Sequence, residues 1–278
     1  MLPTFLLCGA QKAGTTAVYS ALCQHPDICM SRPKETEFFN WRYDRGTGWF
    51  SKHFDHYSGE KAIGEASTRT MPTPDAPGLI YSISPNIRLI FILRDPVKRA
   101  YSAYWFYLTN GIICSTEKFS NFIRNEGHPL RQEIIEYGHY DHHLKRFNKI
   151  FPLEQLLVLF YEDLMHDISS QLQNILRFID IDATKIDKIN IQKKNVTSYP
   201  VSKSLYSWMR SIWKPISQKL ELLSPSLVEA TGKYSKKILM HNSRPQLSVK
   251  DELYLRTIYK KTVTNLEKEH GYDLTHWK

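Results

Sequence analysis

The chain has 278 residues, of which 42% are hydrophobic, and its 37 basic and 28 acidic residues give a formal net charge of +9. This length permits one large domain or two small ones, and no apolar run approaches the roughly 20 residues that a membrane span requires. The apolar run at residues 5–8 is too short for a signal peptide, and no basic region precedes it. We therefore expect one domain over residues 1–278, located in the cytoplasm and without a membrane span.

Cysteine spacing and charge distribution narrow the choice of ligand. The four cysteines show no C-x-x-C spacing, which predicts reduced thiols and no zinc site. The positive charge is compatible with nucleic-acid binding, but no RNA-binding or zinc-finger signature accompanies it, and no basic segment contains five consecutive like charges. Because an anionic small ligand needs only a few of these basic residues, we expect such a ligand and no nucleic acid.

The first predicted element is a buried strand at residues 5–8, which a small-residue turn connects to a helix. Backbone N–H groups at the start of such a helix face any anion held in the turn. Gly9 and Gly14 have the spacing of the glycines in G-x-x-x-x-G-K-[ST], the loop of nucleoside triphosphatases. Thr15 follows the second glycine, however, and the lysine lies inside the loop at Lys12. The segment therefore predicts a site for a phosphate-like group that differs from the usual ATP or GTP loop.

Further predicted strands alternate with predicted helices along the chain. Short, largely apolar runs typical of buried strands lie at residues 62–65, 87–93 and 156–160. Helical patterns follow at residues 96–108, 168–179 and 250–269. This alternation indicates an α/β fold like that of the P-loop nucleoside triphosphatases, a mostly parallel sheet with helices on both faces. The turns after the first strand and after residue 93 then lie at the same edge of the sheet, where ligands of such folds bind.

A second candidate anion site follows the predicted strand that ends at Leu93. Arg94 lies at the end of this strand, and Ser102 lies two turns along the next helix, whose first turn suits Pro96. An arginine fork at this place can clamp a phosphate through two hydrogen bonds, and the serine hydroxyl can add a third. The alternative is that Arg94 pairs with Asp95 and that the serine is satisfied locally.

Together the two loops resemble those of the PAPS-dependent sulfotransferases, which transfer a sulfuryl group from 3′-phosphoadenosine 5′-phosphosulfate (PAPS). In that family a K-x-G-T-T loop holds the 5′-phosphosulfate, and residues 12–16 match it. A later R-D-P-x-x-R-x-x-S segment binds the 3′-phosphate through its first arginine and its serine, which are Arg94 and Ser102 here. The flanking blocks of the family match at residues 25–27, 34–39, 64–67, 156–164 and 271–274, so the resemblance spans nearly the whole chain.

The resemblance implies PAPS as the donor and a transfer that needs no metal. Lys12 then neutralises the charge that develops on the bridging oxygen as the phosphate leaves. A basic, Ser/Asn-rich loop at residues 193–203 is the implied counterpart of the loop that closes over the 3′-phosphate in related enzymes. The residues expected to bind the donor are Lys12, Ala13, Gly14, Thr15, Thr16, Ala17, Arg94, Ser102, Lys194, Ser202 and Lys203.

The acceptor must lose a proton as it attacks sulfur, so the reaction calls for a general base. In the heparan-type branch of the family this base is a glutamate shortly before a Phe-Phe pair, and the matching residue here is Glu35. Glu37 lies beside the same pair, and alternation in an extended segment places both carboxylates on one face. Many small-molecule sulfotransferases use a histidine instead. The histidines considered as the alternative base are His53, His56, His139, His142 and His143.

One departure from the heparan-type pattern bears on the acceptor. Those enzymes have an active-site lysine in the pattern G/V-E-K-[ST], and this chain has Ala66 at that position. Alanine cannot pair with a sulfated sugar, which argues against a glycosaminoglycan acceptor. The chain is more similar to soluble bacterial enzymes that sulfate small metabolites, natural products or glycolipids. We therefore expect O- or N-sulfation of a small molecule, with a carbohydrate or glycolipid as the alternative acceptor.

Two other classes of function remain open from the sequence. An atypical P-loop small-molecule kinase would require ATP and Mg²⁺. A basic nucleic-acid-binding protein would show steeply salt-dependent affinity for DNA or RNA that survives Lys12→Ala.

Overall fold

The structure, a computed structural model, describes residues 1–114, 116–184 and 245–278, and the backbone of residues 199–200 and 240–241. The chain divides into two compact units. The first unit comprises Met1–Ala100, Ile135–Lys194 and Leu255–Lys278, and the second comprises Tyr101–Ile134 and Asn195–Tyr254. The single domain expected over residues 1–278 stays a prediction.

A five-stranded parallel sheet forms the centre of the first unit. Its strands are β1 (Phe5–Gly9), β2 (Ile28–Met30), β3 (Ala62–Glu65), β4 (Arg88–Leu93) and β5 (Leu156–Phe160). They are ordered β2-β3-β1-β4-β5 and every neighbouring pair is parallel. The register pairs Phe5 with both Gly64 and Arg88. The α/β class and the parallel sheet that the sequence predicts are therefore confirmed.

Helices surround this sheet, as the sequence also predicts. Across both units, the helices of the described residues are, in chain order, α1 (Thr15–Leu22), α2 (Phe38–Trp41), α3 (Gly46–Ser51), α4 (Ala76–Ile83), α5 (Pro96–Thr109), α6 (Phe119–Phe122), α7 (Pro129–Glu136), α8 (Tyr140–Asn148), α9 (Tyr161–His166), α10 (Ile168–Phe178) and α11 (Val249–His270). Short 3-10 turns lie at Tyr43–Arg45, Lys52–Phe54, Leu153–Gln155 and Thr275–Trp277. Within the described ranges, no helix combines the length and apolar character that a membrane crossing requires.

The sheet is buried because its central strands are apolar on both faces. Residues 5–8 of β1 and 89–93 of β4 are fully buried. Each such Leu, Ile or Phe side chain contributes about 1.5–3 kcal/mol by leaving water. Gly64 on β3 leaves room for the side chain of its partner Phe5 on the neighbouring strand β1, since a Cβ there would lie 2.2 Å from the Phe5 ring.

The carboxyl ends of β1, β3 and β4 meet at one edge of the sheet, where the chain continues into the loops that carry the predicted site. The backbone of these loops is tied to the strands, since Ala10 N donates to Ile92 O at 2.7 Å and Met71 N donates to Cys8 O at 2.9 Å. Parallel strands direct their carboxyl ends to the same edge, which confirms that the two candidate anion loops emerge there.

The second unit contains helix α6, parts of α5, α7 and α11, and a two-stranded antiparallel sheet formed by Tyr199–Pro200 and Met240–His241. Aromatic rings pack within it, with Tyr101 and Tyr104 meeting Phe119 at centroid distances of 4.9 and 5.0 Å. The buried carboxylate of Asp251 accepts a hydrogen bond from Ser120 Oγ at 2.5 Å.

Candidate active site

The loop between β1 and α1 has the backbone of an anion-binding turn. Lys12 and Gly14 both lie in the left-handed region, with φ of 69° and 88°. For Lys12 this conformation costs roughly 1–2 kcal/mol, so the surrounding structure must hold it. Gly14 precedes the first residue of the helix, and a Cβ there would lie 3.1 Å from Tyr161 and from Leu164. The turn thus presents the N–H groups that begin α1 at a place where glycine is favoured by its positive φ and by its close neighbours.

Three cationic side chains interact at this loop. Burial, together with the positive charges of Arg94 and Lys34, lowers the pKa of Lys12 to about 8, and Glu35 acts in the opposite direction. Lys34 Nζ lies 3.5 Å from Thr15 Oγ1, so it reaches the start of α1. The repulsion between these positive charges costs free energy, and an anionic ligand bound among them would offset that cost.

Arg94 is fixed by its backbone and by its guanidinium. Its Nη1 donates to Lys12 O at 2.9 Å, and its guanidinium carbon lies 4.2 Å from the centre of the Tyr161 ring. The Tyr140 hydroxyl donates to Arg94 O at 2.9 Å. Asp95, which the sequence offers as a partner of Arg94, is bound by two hydrogen bonds from Arg256.

The carboxylates of the candidate base segment come together, but not through extended alternation. Glu35 accepts hydrogen bonds from Lys34 Nζ at 2.8 Å and from Thr68 Oγ1 at 3.2 Å. Glu37 has a left-handed backbone, with φ of 58°. Burial and then the charge and hydrogen bonding of Glu35 raise the pKa of Glu37, while Arg69 opposes this. Lys34 therefore links Glu35 to the anion loop, and Glu35 and Glu37 share one electrostatic environment.

The family model described as the sulfotransferase domain matches residues 2–266 of this chain. The chain belongs to the sulfotransferase domain family. This membership makes it a transferase domain and confirms the family that the motifs predict.

Two curated relatives of this sulfotransferase domain show how far the likeness reaches. The membrane-associated sulfotransferase kil1 of Dictyostelium discoideum is 38% identical over 108 residues, which are 38% of this chain and 23% of that protein. The bifunctional heparan sulfate N-deacetylase/N-sulfotransferase 3 of Homo sapiens is 31% identical over 196 residues, 65% of this chain and 22% of that protein. The chain thus spans less than a quarter of the length of either relative.

A solved structure extends the comparison to the fold. The crystal structure of a sulfotransferase from Alicyclobacillus acidocaldarius matches 100% of this chain and 99% of its own, with a TM-score of 0.73 and 21% sequence identity. At this identity the match shows that the sulfotransferase domain has the same fold. It leaves the acceptor and the individual site residues to the geometry.

The structure brings together part of the predicted set. In the sulfotransferase domain, residues 12–17, Arg94 and Glu35 lie at the edge where β1, β3 and β4 end. Ser102 is buried on α5 and belongs to the second unit, so its role beside Arg94 stays a prediction. Lys194, Ser202 and Lys203 lie outside the described residues.

The histidines considered as the alternative base make contacts within the fold. The neutral His143 side chain is buried, which lowers its pKa to about 3, and its Nε2 lies 2.9 Å from Glu136 O. His139 Nδ1 lies 2.8 Å from Thr262 Oγ1. The remaining contacts are those of His53 with the backbone carbonyls of Trp49 and Phe50, of His56 with Met30 O, and of His142 with Asp141. Glu35 stays the candidate base and a histidine stays the alternative.

The sequence did not predict two residues of the site, Lys34 and Glu65. Lys34 stands beside the candidate base, and only its contact with Thr15, 19 positions earlier, shows that it reaches the anion loop. Glu65 ends an apolar strand and is 1% exposed. A carboxylate at the end of a buried strand is itself an unusual signal, because burying a charge is costly unless hydrogen bonds compensate it.

Proposed function

We propose that this sulfotransferase domain transfers the sulfuryl group of PAPS to a hydroxyl or amine of a small metabolite or natural product. The convergence of Lys12, Lys34 and Arg94 on the turn between β1 and α1, next to the carboxylate of Glu35, carries the proposal. Such a site suits an anionic donor on one side and proton removal from an acceptor on the other.

The donor set fits a nucleotide with phosphate groups at both ends. N–H groups and hydroxyls of residues 13–17, together with Lys12, would hold the 5′-phosphosulfate, and Arg94 would hold the 3′-phosphate. Gly14 supports this fit, because a Cβ there would strain the backbone at φ 88° and would lie only 3.1 Å from Tyr161 and Leu164. When bound, PAPS supplies an electrophilic sulfur and an adenosine bisphosphate as leaving group.

Lys12 stabilises negative charge at the leaving phosphate in this proposal. Its pKa of about 8 leaves it mostly protonated at neutral pH. Because its side chain is partly buried, the charge acts through a medium less screened than water. The backbone carbonyl of Lys12 is held by Arg94, so the two cations that address the two ends of the donor are fixed relative to each other.

Glu35 takes the acceptor proton, and Glu37 is the alternative. Glu35 is oriented from both sides, since Lys34 and Thr68 bind its two carboxylate oxygens. Burial raises the pKa of Glu37, which makes this carboxylate a stronger base than an exposed glutamate. The proposal assigns proton removal to Glu35 and leaves Glu37 to position the acceptor.

The residue that follows β3 supports the proposal of a small acceptor. Ala66 is fully buried there, so this position supplies no cation for a sulfated sugar. A carbohydrate acceptor is the second candidate, and one observation favours it. The Trp41 side chain is 66% exposed and lies beside Arg69, close to Glu37, where its indole could stack on a sugar ring.

The decisive experiment incubates the protein with ³⁵S-labelled PAPS and a panel of hydroxylated, amino and saccharide acceptors in EDTA. We expect label on at least one acceptor, and a thermal shift with 3′,5′-adenosine bisphosphate (PAP). Lys12→Ala should abolish both effects, whereas Lys61→Ala should abolish neither, since Lys61 is an exposed lysine whose ion pair is with Asp27.

Failure of both transfer and PAP binding in the wild-type protein would overturn the proposal. Binding of ATP that depends on Mg²⁺, with phosphate transferred to an acceptor, would favour the kinase alternative. Affinity for DNA or RNA that falls steeply with salt and survives Lys12→Ala would favour the nucleic-acid alternative.

A further inference from the structure

Glu65 is a buried carboxylate that binds Thr36, the residue directly after the candidate base Glu35. It is the last residue of β3, a strand paired on both sides, and it is 1% exposed. Burial raises its pKa to about 7, although hydrogen bonds from Ser67 and Thr36 act in the opposite direction. A charge in such a place needs several donors to persist.

The donors that Glu65 receives come from the base segment and from the turn that follows β3. Glu65 Oε1 accepts from Thr36 N at 3.2 Å and from Thr36 Oγ1 at 2.9 Å. The same oxygen accepts from Ser67 Oγ at 2.5 Å. One carboxylate oxygen therefore accepts from both hydrogen-bond donors of Thr36, the residue that separates Glu35 from Glu37.

The hydroxyls of Ser67 and Thr36 in turn accept hydrogen bonds from the next two backbone amides, those of Glu37 and Phe38. Ser67 Oγ accepts from Glu37 N at 3.0 Å, and Thr36 Oγ1 accepts from Phe38 N at 3.3 Å. Three consecutive N–H groups, those of residues 36–38, thus end on Glu65 directly or through one hydroxyl. This arrangement holds Glu37 at φ 58° and caps the first donor of α2.

We infer that Glu65 is a positioning residue, which fixes the Glu35–Glu37 carboxylates for proton removal through Thr36 and Ser67. The inference rests on the proposed function, since it assigns Glu65 a part in the same reaction. Glu65 itself touches neither acceptor nor donor in this assignment. Because β3 is paired on both sides within the central sheet, the base segment is bonded to a strand of the scaffold and not to another loop.

The test compares Thr36→Val with Thr36→Ser. Valine keeps the shape of the buried side chain but removes the hydroxyl, whereas serine keeps the hydroxyl. The valine removes both the bond to Glu65 and the bond from Phe38 N, and loss of the bond to the carboxylate alone corresponds to about a tenfold effect. For Thr36→Val we therefore expect about tenfold lower kcat, with the affinity for PAP unchanged, and about tenfold faster amide hydrogen exchange in residues 36–38. Thr36→Ser should behave like the wild-type protein in both measurements.

Ser67→Ala provides a second, independent test, because it removes the bonds of Ser67 Oγ to Glu65 and to the Glu37 amide and leaves both bonds from Thr36 to Glu65 in place. If Thr36→Val does not fold, Ser67→Ala with the same two readouts takes its place. Unchanged exchange in a folded variant would overturn the inference. So would equal losses in the valine and serine variants, or a loss of PAP affinity as large as the loss of kcat.

The proposed function fails separately. In that case the wild-type protein transfers no label from PAPS to any acceptor, while hydrogen exchange still responds to Thr36→Val. Hydrogen exchange would then confirm the hydrogen bonds between Glu65 and residues 36–38, and the absence of transfer would show that these bonds do not serve sulfuryl transfer.

Discussion

Arg256 binds both carboxylate oxygens of Asp95, with Nη1 and Nη2 at 2.9 and 2.7 Å from Oδ1 and Oδ2. Asp95 is fully buried, and the same guanidinium donates to Trp277 O at 2.6 Å. The pair joins the C-terminal helix and the end of the chain to the residue that follows Arg94. Asp95 in turn caps α5, because its Oδ1 accepts from Val97 N at 2.9 Å. The loop of the second candidate anion site is therefore held from the opposite end of the sequence.

We expect Arg256→Ala to destabilise the fold by about 3–5 kcal/mol, because it leaves the buried Asp95 carboxylate with its main partner removed. Denaturant unfolding measures this loss. Adding Asp95→Asn should recover part of it, since the double variant no longer buries a charge. Equal stability of Arg256→Ala and wild type would contradict the role of the pair. Arg256→Lys keeps the charge but not the planar fork, so it should lie between the two.

The affinity for PAP should fall as the pH rises through about 8. The free protein holds Lys12 with a pKa lowered to about 8 by burial and by Arg94, so the lysine is charged below that pH and neutral above it. For one essential charge, affinity drops about tenfold between pH 7 and pH 9. Isothermal titration calorimetry across this range measures the slope. Lys12→Arg, which stays charged, should flatten the profile, and a flat wild-type profile would show that Lys12 does not face the donor.

Gly14→Ala should weaken PAP binding far more than Gly46→Ala. Both glycines have positive φ, with φ and ψ of 88° and 6° at Gly14 and of 73° and 166° at Gly46, so both substitutions strain the backbone, by roughly 1–3 kcal/mol each. Only at Gly14 does the new Cβ also meet neighbours, at 3.1 Å from Tyr161 and Leu164, whereas Gly46 has open space. Comparison of the two variants separates the effect of backbone strain from the effect of steric contact at the anion loop. Equal effects on PAP affinity in the two variants would contradict the proposed placement of the donor.

The titration of Glu65 should appear in the pH dependence of stability. Its pKa is raised from 4.5 to about 7, so the native protein binds this proton more tightly than the unfolded chain does. Its contribution to stability is therefore full below pH 4.5 and is lost as the pH rises through 7, by about 3 kcal/mol in total. The charged or titratable groups that face it are Cys8 on β1, Tyr19 on α1 and Glu35.

Denaturant unfolding of wild type and Glu65→Gln at several pH values isolates this titration. The variant lacks the carboxyl group, so its stability relative to wild type should increase between pH 4.5 and pH 7 and then level off. A constant difference over this range would mean that Glu65 keeps its ordinary pKa in the fold.

Local pattern was sufficient for most of the sheet and for the location of the site. Three of the apolar runs, at residues 62–65, 87–93 and 156–160, correspond to β3, β4 and β5 to within one residue, because these strands are apolar on both faces. The strand at Ile28–Met30 was missed, since it is three residues long and is stabilised by its pairing with β3. The rule that parallel strands end at one edge then placed the two anion loops together.

Contacts between distant residues were beyond the sequence. The bonds from Lys34 to Thr15 and from Glu65 to Thr36 join segments 19 and 29 positions apart, and no periodicity encodes them. The prediction that Glu35 and Glu37 lie close together holds, but the extended backbone on which it was based is absent at Glu37. Glu37 has a left-handed backbone, which the bonds to Ser67 and Thr36 support.

Glu35→Gln and Glu37→Gln should separate the base from its neighbour. Both changes keep the shape of the side chain, and neither residue is placed against the phosphates, so PAP affinity should stay within about twofold of wild type. If Glu35 removes the proton, Glu35→Gln should lower kcat by about 10²–10⁴. Glu37→Gln removes the charge that Glu35 meets and replaces the carboxylate that Asn40 binds by an amide, so it should act mainly on the KM of the acceptor. The reverse ranking of the two kcat values would assign proton removal to Glu37, and full turnover in both variants would move the base to a histidine.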